Sequence, residues 1–276
     1  MQAQTVLKLY EDGRRDFTGL SLAGADFSAQ ILVDIDFSDS DLTGANFSRS
    51  FLTKATFTRT KLNRSNFQFA KISNAQFLGA DLTKSNLQGA FGIGSDLSEA
   101  RISGANLAHV NFRFAQLVRA NCSGANCLGA NFREADLSHS NFTWSNLCGV
   151  RLIGGTISGA NFLHARLDRA FLNGLDFGRM ILSGVSFKEA RLKGAKFEQA
   201  DLTAANFTAA SLHNSDFKWA KLAGATLAQA NLYRARFSQA DLRRVNHSGV
   251  NWANADLTGA YREELGLVNK QVANAS

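Results

Sequence analysis

Proline is absent from the 276 residues, and cysteine occurs three times. No proline therefore marks a linker or a break between domains. An odd number of cysteines does not make a disulfide framework. No run approaches the ~18 consecutive apolar residues of a membrane-spanning helix. The opening Met-Gln-Ala-Gln-Thr-Val-Leu-Lys has no basic segment leading into a long apolar one, so no secretory signal is read there. A soluble protein of the cytoplasm is the expectation, with no membrane partner. Charge of one sign is only mildly in excess. Lys and Arg number 30 against 23 Asp and Glu, which would favour polyanionic partners only if clustered.

What the chain does have is a period of five. Every residue from Phe17 to Leu257 whose number ends in 2 or 7 makes a series of 49 positions. They hold 24 Leu, 17 Phe, 3 Ile, 2 Cys and one each of Gly92, His247 and Trp252. Two residues before these centres, 28 positions are Ala and 8 are Ser; two residues after, 18 are Gly. Asp or Asn most often stands just before the centre, as in Asp26, Asn46, Asp81, Asn131 and Asp201. The consensus is Ala-(Asp/Asn)-(Leu/Phe)-X-Gly, without insertion or deletion.

Five fits neither a helix face at 3.6 residues per turn nor simple strand alternation. A chain that turns a corner every five residues fits it. Three residues run extended, with the large centre and the small residue before it pointing inward, and a turn follows. Glycine after the centre suits a turn residue with positive φ, as in a type II turn.

With this consensus the chain resembles the pentapeptide-repeat proteins, over about nine-tenths of its length. The opening Leu9-Tyr10-Glu11-Asp12-Gly13-Arg14-Arg15-Asp16-Phe17 is similar to the lead-in of many cyanobacterial members. The resemblance implies an all-β fold, a right-handed four-sided parallel β-helix. About twelve coils stacked ~4.8 Å apart make a rod roughly 58 Å long. The expected organisation is an N-terminal cap at residues 1–14, the β-helix at 15–260 and a partly helical C-terminal cap at 261–276. Leu265, Val268 and Val272 are spaced like one helix face, and relatives that dimerise through such a segment leave monomer and dimer both open.

Three features of the core are expected to be local. Phe occupies centres ending in 7, shifts to centres ending in 2 between Phe112 and Phe162, and returns at Phe177, so phenylalanine ladders should switch walls. Gly92 leaves a hole that Phe91 or Ile93 is expected to fill. Leu175, Met180 and Val185 replace Ala in succession and should widen their coil.

Candidate chemistry dissolves into the repeat. Cys122 and Cys127 are inward centres and read as buried hydrophobes; Cys148 is outward and alone. His109, His139, His164 and His213 fall on four different sides, and His247 reads as a satisfied core residue. No glycine-rich phosphate loop precedes a helix, and no insertion provides a loop for a pocket or lid. Neither an enzyme nor a cofactor or metal site is expected.

Four repeats per lap assign outward residues to sides. The side centred on Leu32, Leu52 and Ile72 carries Lys54, Lys71, Arg113, Arg133, Arg151, Arg191, Lys193 and Arg234 against Asp34 and Glu134. It also presents Ile31, Phe51, Phe91, Phe114, Phe171 and Tyr233. Aromatics flanked by Arg suit an interface centre, which points to a protein partner and a scaffold role. A positive stripe also fits nucleic acid or another polyanion. A merely solvated face is the plain alternative. The side centred on Phe17 is net acidic but is interrupted by Arg59, Arg119, Arg179, Lys196, Lys218 and Arg236. That argues against the DNA mimicry by which some family members protect DNA gyrase.

Overall fold

The computed structural model describes residues 2–262. One helix, α1 (Ala3–Glu11), precedes the repeats. Its Val6 is fully buried, and Leu7, Leu9 and Tyr10 pack on the core. The Tyr10 hydroxyl donates to the Val33 carbonyl at 2.9 Å, tying the helix to the first lap.

From Asp16 onward the chain winds as a parallel β-helix. Single parallel bridges join residues twenty apart, recurring every five residues from Asp16–Asp36 to Asp241–Tyr261 with one interruption. At most centres the N–H donates to a carbonyl of the next lap, as Phe17 does to Asp36 at 2.8 Å. A turn closes each repeat, with the Ala25 N–H donating to Leu22 O at 3.1 Å and its equivalents recurring along the chain. A lap thus contains four turns.

The third residue of each turn has positive φ, whether glycine (Gly24, φ 70°) or not (Lys54, φ 63°; Phe114, φ 60°). Glycine's freedom is therefore not a requirement of the turn. The repeated cross-lap bonds hold even arginine in the left-handed region.

The core is a stack of large centres and small partners, as the five-residue pattern predicts. The Phe, Leu and Ile centres from Phe17 to Leu242 are buried, as are the Ala residues two before them from Ala45 to Ala240. Where Ser replaces Ala, its hydroxyl donates to a main-chain carbonyl, that of the centre three residues back for Ser50 (Phe47, 2.6 Å) and that of Phe17 for Ser40 (3.1 Å). The polar group is thereby satisfied without leaving the core.

Phenylalanines stack along a wall, as Phe57 on Phe77 at 4.9 Å, and meet edge-on across the tube, as Phe57 with Phe67 at 5.6 Å. The ladder moves to other walls at Phe112, Phe132, Phe142 and Phe162, then returns at Phe177. The wall switch read from the sequence is present.

Two local expectations need correction. The hole at Gly92 is filled neither by Phe91 nor by Ile93, both of which are exposed. The buried Phe112 ring of the next lap occupies it, 2.4 Å from where a Gly92 Cβ would sit, beside the Ser95 hydroxyl. His247 is not an enclosed core residue. It is half-buried near the far end of the helix, where its ring meets Trp252 edge-on at 6.2 Å. The expected helix with Leu265, Val268 and Val272, and the dimer read from it, lie outside the described residues.

At Leu175 and Met180 the core does widen. The bridge series omits Thr156–Asp176 and Asn161–Ile181, while Arg151–Phe171 and Arg166–Ser186 on the remaining sides stay closed.

Candidate functional site

The twenty-residue lap brings the residues of the basic side into one continuous column. Ile31, Phe51, Lys71, Phe91, Asn111, Asn131, Arg151, Phe171 and Arg191 are bridged in that order. Strand alternation points these residues outward because the inward neighbours on either side are the core pair. Phe51, Phe91, Phe114 and Tyr233 are between 42% and 47% exposed, which a tightly packed core residue never is. Phe171 is half-buried, and Arg113, Arg133, Arg151, Arg191, Lys193 and Arg234 are exposed.

Five of the cations of this side rest on rings. Lys71 Nζ lies 3.7 Å from the Phe91 centroid. Arg113 lies 4.4 Å from Phe114, and Arg234 lies 5.1 Å from Tyr233. Phe171 receives two guanidiniums, Arg191 at 4.6 Å and Arg151 at 5.5 Å. Each such contact contributes roughly 0.5–1 kcal/mol at an exposed site. Among the described residues the side holds one ion pair, Arg113 with Glu134 at 2.9 Å.

The other sides differ. On the acidic side Arg59 meets Asp39 at 2.7 Å, Arg236 meets Asp216 at 3.2 Å and Arg119 meets Glu99 at 3.8 Å. The Arg59 guanidinium holds the Asp39 carboxyl below its usual range by hydrogen bonding and charge. Three of the six positive groups interrupting that side are thus spent on its own carboxylates.

The residues proposed from sequence therefore fall into clusters along one column. Phe51, Phe91, Arg113 and Phe114 make the first, joined by Lys71, Val33 and Ile93, whose exposure adds apolar area. Arg151, Phe171 and Arg191 make the second, with Lys193 beside them. Tyr233 and Arg234 stand further along, and Arg133 lies between the first two groups.

Sequence reasoning missed the side centred on Phe27. There Asn46, Asn66, Asn86, Asn106, Asn126 and Asn146 form a ladder. Each side-chain amide donates to the oxygen of the residue twenty earlier, at 3.1–3.3 Å from Asn66 on. The series ends on Asp26, which accepts from Asn46 at 3.0 Å. Recurrence of Asn at intervals of twenty was the available signal. Beyond the ladder is a recess of about 330 Å³ lined by Cys148, Arg166, Asp168, Arg169, Lys188 and Glu189. Its charges are internally matched: Arg166 lies 3.3 Å from Asp168 and Arg169 lies 2.7 Å from Glu189. Burial pushes the Cys148 thiol up. Cys122 and Cys127 are wholly buried, and burial raises the Cys122 thiol to about 12, so both behave as small hydrophobes.

The profile described as pentapeptide repeat region matches residues 14–87 and 190–265. That described as pentapeptide repeats (8 copies) matches 75–113, 95–126, 115–154 and 160–199. The chain belongs to the pentapeptide-repeat family. Its fold is accordingly the right-handed β-helix that the resemblance implied.

Among solved members, HetL, involved in heterocyst differentiation regulation in the cyanobacterium Nostoc sp. strain PCC 7120, is 22% identical. The match covers 94% of this chain and 96% of HetL, with a TM-score of 0.34. QnrB1, a plasmid-mediated fluoroquinolone resistance protein, is 18% identical over 76% of this chain and 91% of its own, with a TM-score of 0.34. A pentapeptide repeat protein of the Arabidopsis thaliana thylakoid lumen is 31% identical over 45% of this chain and 66% of its own, with a TM-score of 0.22. No curated protein matches the chain significantly. No described helix of this pentapeptide-repeat protein is long and apolar enough to cross a membrane.

Proposed function

We propose that this pentapeptide-repeat protein is a non-enzymatic binding or scaffold module that engages a protein partner through its basic, aromatic side. The rod is read as four-sided and about twelve coils long, from the twenty-residue lap over residues 15–260. Residues 1–14 act as its cap, because α1 lays Val6 and Tyr10 over the first lap. Three free thiols suit the reducing cytoplasm, which is the proposed location.

One observation carries the reading: Lys71, Arg151, Arg191 and Arg234 stand on aromatic rings with no ion pair among the described residues, and Arg113 stands on Phe114 beside its pairing with Glu134. An ion pair within a side is already satisfied and gains little from a partner. A guanidinium stacked on a ring keeps its N–H groups free, held in place with its apolar platform beside it. Arg and aromatics together are what binding hot spots favour.

The test is affinity capture with the native protein and with a Phe51→Ser/Phe91→Ser/Arg151→Ser/Phe171→Ser variant of equal fold. Partners retained by the native protein and lost by the variant locate the working surface. An identical set of partners would overturn the assignment. Titration with duplex DNA and with RNA at low and high salt separates the polyanion reading. Tight binding that falls steeply with salt and is lost in the same variant would move the partner from protein to nucleic acid.

A further inference from the structure

The widened coil does more than interrupt a regular ladder. On one lip, the N–H groups of Gly154, Ile157, Gly159, Phe162 and His164 make no described hydrogen bond. One lap earlier the equivalent groups are bonded, with Leu137 donating to Thr156 O and His139 to Ser158 O, both at 2.8 Å. The carbonyls that the pattern assigns to the open lip belong to Asn173, Asp176, Gly178, Ile181 and Ser183. On that second lip the Asp176 and Ile181 N–H groups are also without a described bond. A main-chain group buried without a partner is strongly disfavoured, so groups in this state are reached by water or by a ligand.

The cause is steric. Leu175 and Met180 stand where Ala recurs, over Gly155 and Ala160 of the lap before. Their bulk separates two sides of the coil while the other two stay bridged. A cavity of about 440 Å³ opens between the lips, a size typical of a ligand pocket. Gly154, Gly155, Gly159, Gly174 and Gly178 line it, so few side chains stand between the lip backbones and a visitor. Ile157, Leu175 and Met180 supply an apolar floor.

We infer that this seam is a binding site for an extended polypeptide segment, which pairs its own N–H and C=O groups with the free groups of the two lips. Only a peptide backbone offers alternating donors and acceptors at strand spacing to both lips at once. A phosphate or carboxylate ligand fits poorly. The one charged residue lining the cavity is Asp176, and its carboxylate already accepts from the Gly178 N–H at 2.9 Å. The inference is independent of the basic side, because none of the aromatic or cationic groups there enters it.

The experiment has two arms on the full chain. Amide hydrogen exchange in the free protein should show Ile157, Gly159 and Phe162 exchanging about 100-fold faster than Leu137, His139 and Phe142 one lap earlier. A phage-displayed library of random heptapeptides should yield binders that slow exchange at Ile157 and Gly159. These binders should be lost in a Leu175→Ala/Met180→Ala variant, whose restored small residues let the lips close. If that variant fails to fold, amide protection by the peptides in the native chain decides. Seam amides as slow as those one lap earlier would overturn the proposal. So would a library without binders, or binders that leave these amides unprotected or hold equally well to a folded closed-lip variant.

Discussion

At the scale of single residues, the turn is where this protein carries strain. Left-handed backbone costs an L-residue roughly 1–2 kcal/mol, yet Ala204 and Ala209 both sit at φ 56°. Both are exposed at the corner, so neither contributes packing there. Replacing either with glycine removes the Cβ penalty and loses little else. Ala204→Gly and Ala209→Gly are each expected to raise unfolding free energy by about 0.5–1 kcal/mol, against the usual direction for glycine. Urea denaturation would check this; a loss of stability in both would mean that entropy of the unfolded chain outweighs the relief. Nearby cross-lap bonds explain why evolution tolerates the strain, since most turn N–H groups are held by the next lap, as Ala204 is by Ala223 O at 3.0 Å.

At the scale of elements, an Asp or Asn before a centre pins its own turn, and on one side Asn does a second job. The side-chain oxygen accepts the N–H two residues on, as Asn86 does from Gln88 at 3.1 Å, which pins the turn. On the Phe27 side the amides also donate along the ladder, Asn86 to Asn66 at 3.3 Å. Aspartate fits only the ladder's end, where Asp26 need only accept. Asn86→Asp would set a carboxylate against the Asn66 oxygen, and a loss of about 1–2 kcal/mol in urea denaturation is expected. Asp26→Asn should be close to neutral by the same measurement, and equal effects at both sites would refute the directional ladder.

The carboxylates at this position are also acid sensors of the fold. Hydrogen bonds from Ser238, then from the Thr258 backbone, hold Asp256 at about 2. Asp16 and Asp26 are lowered chiefly by the N–H groups of Thr18 and Ser28, and Asp41 chiefly by the Thr43 side chain. A pKa depressed on folding contributes stability that is complete above the unfolded value of ~3.9 and is lost as pH falls through the folded value. The melting temperature should therefore hold level down to about pH 5 and fall between about pH 4 and 2. A decline beginning near pH 6 would point to other groups.

At the scale of the whole molecule, register modulo twenty is what aligns everything outward and inward. Removing residues 57–76 takes out one full lap and returns every later side to its column. Removing residues 57–61 alone rotates all later repeats by one side. Phenylalanine then falls on leucine walls, and the asparagine and cation–aromatic columns break. The twenty-residue deletion is expected to fold cooperatively with a modest loss. The five-residue deletion should lose several times more, by thermal melting followed by circular dichroism. Equal stability of the two would show that only the five-residue unit matters.

The sequence by itself determined the repeating unit: a turn every five residues, Leu or Phe inward, Ala or Ser beside it, and the points at which phenylalanine passes between centres ending in 7 and centres ending in 2. These follow from contacts within one repeat and from side-chain volume, which a local pattern encodes. The bulk of Leu175 and Met180 in a narrow position was legible in the same way. Tertiary structure alone decided what happens between residues twenty apart. It put the Phe112 ring into the Gly92 hole, Lys71 over Phe91, two arginines on Phe171 and the asparagine amides in line. It also decided which bonds part at the seam. The physical reason is that the consensus is the same on every side, so it does not state which repeat lies over which; that is settled by the length of a lap and by how each layer packs on the next.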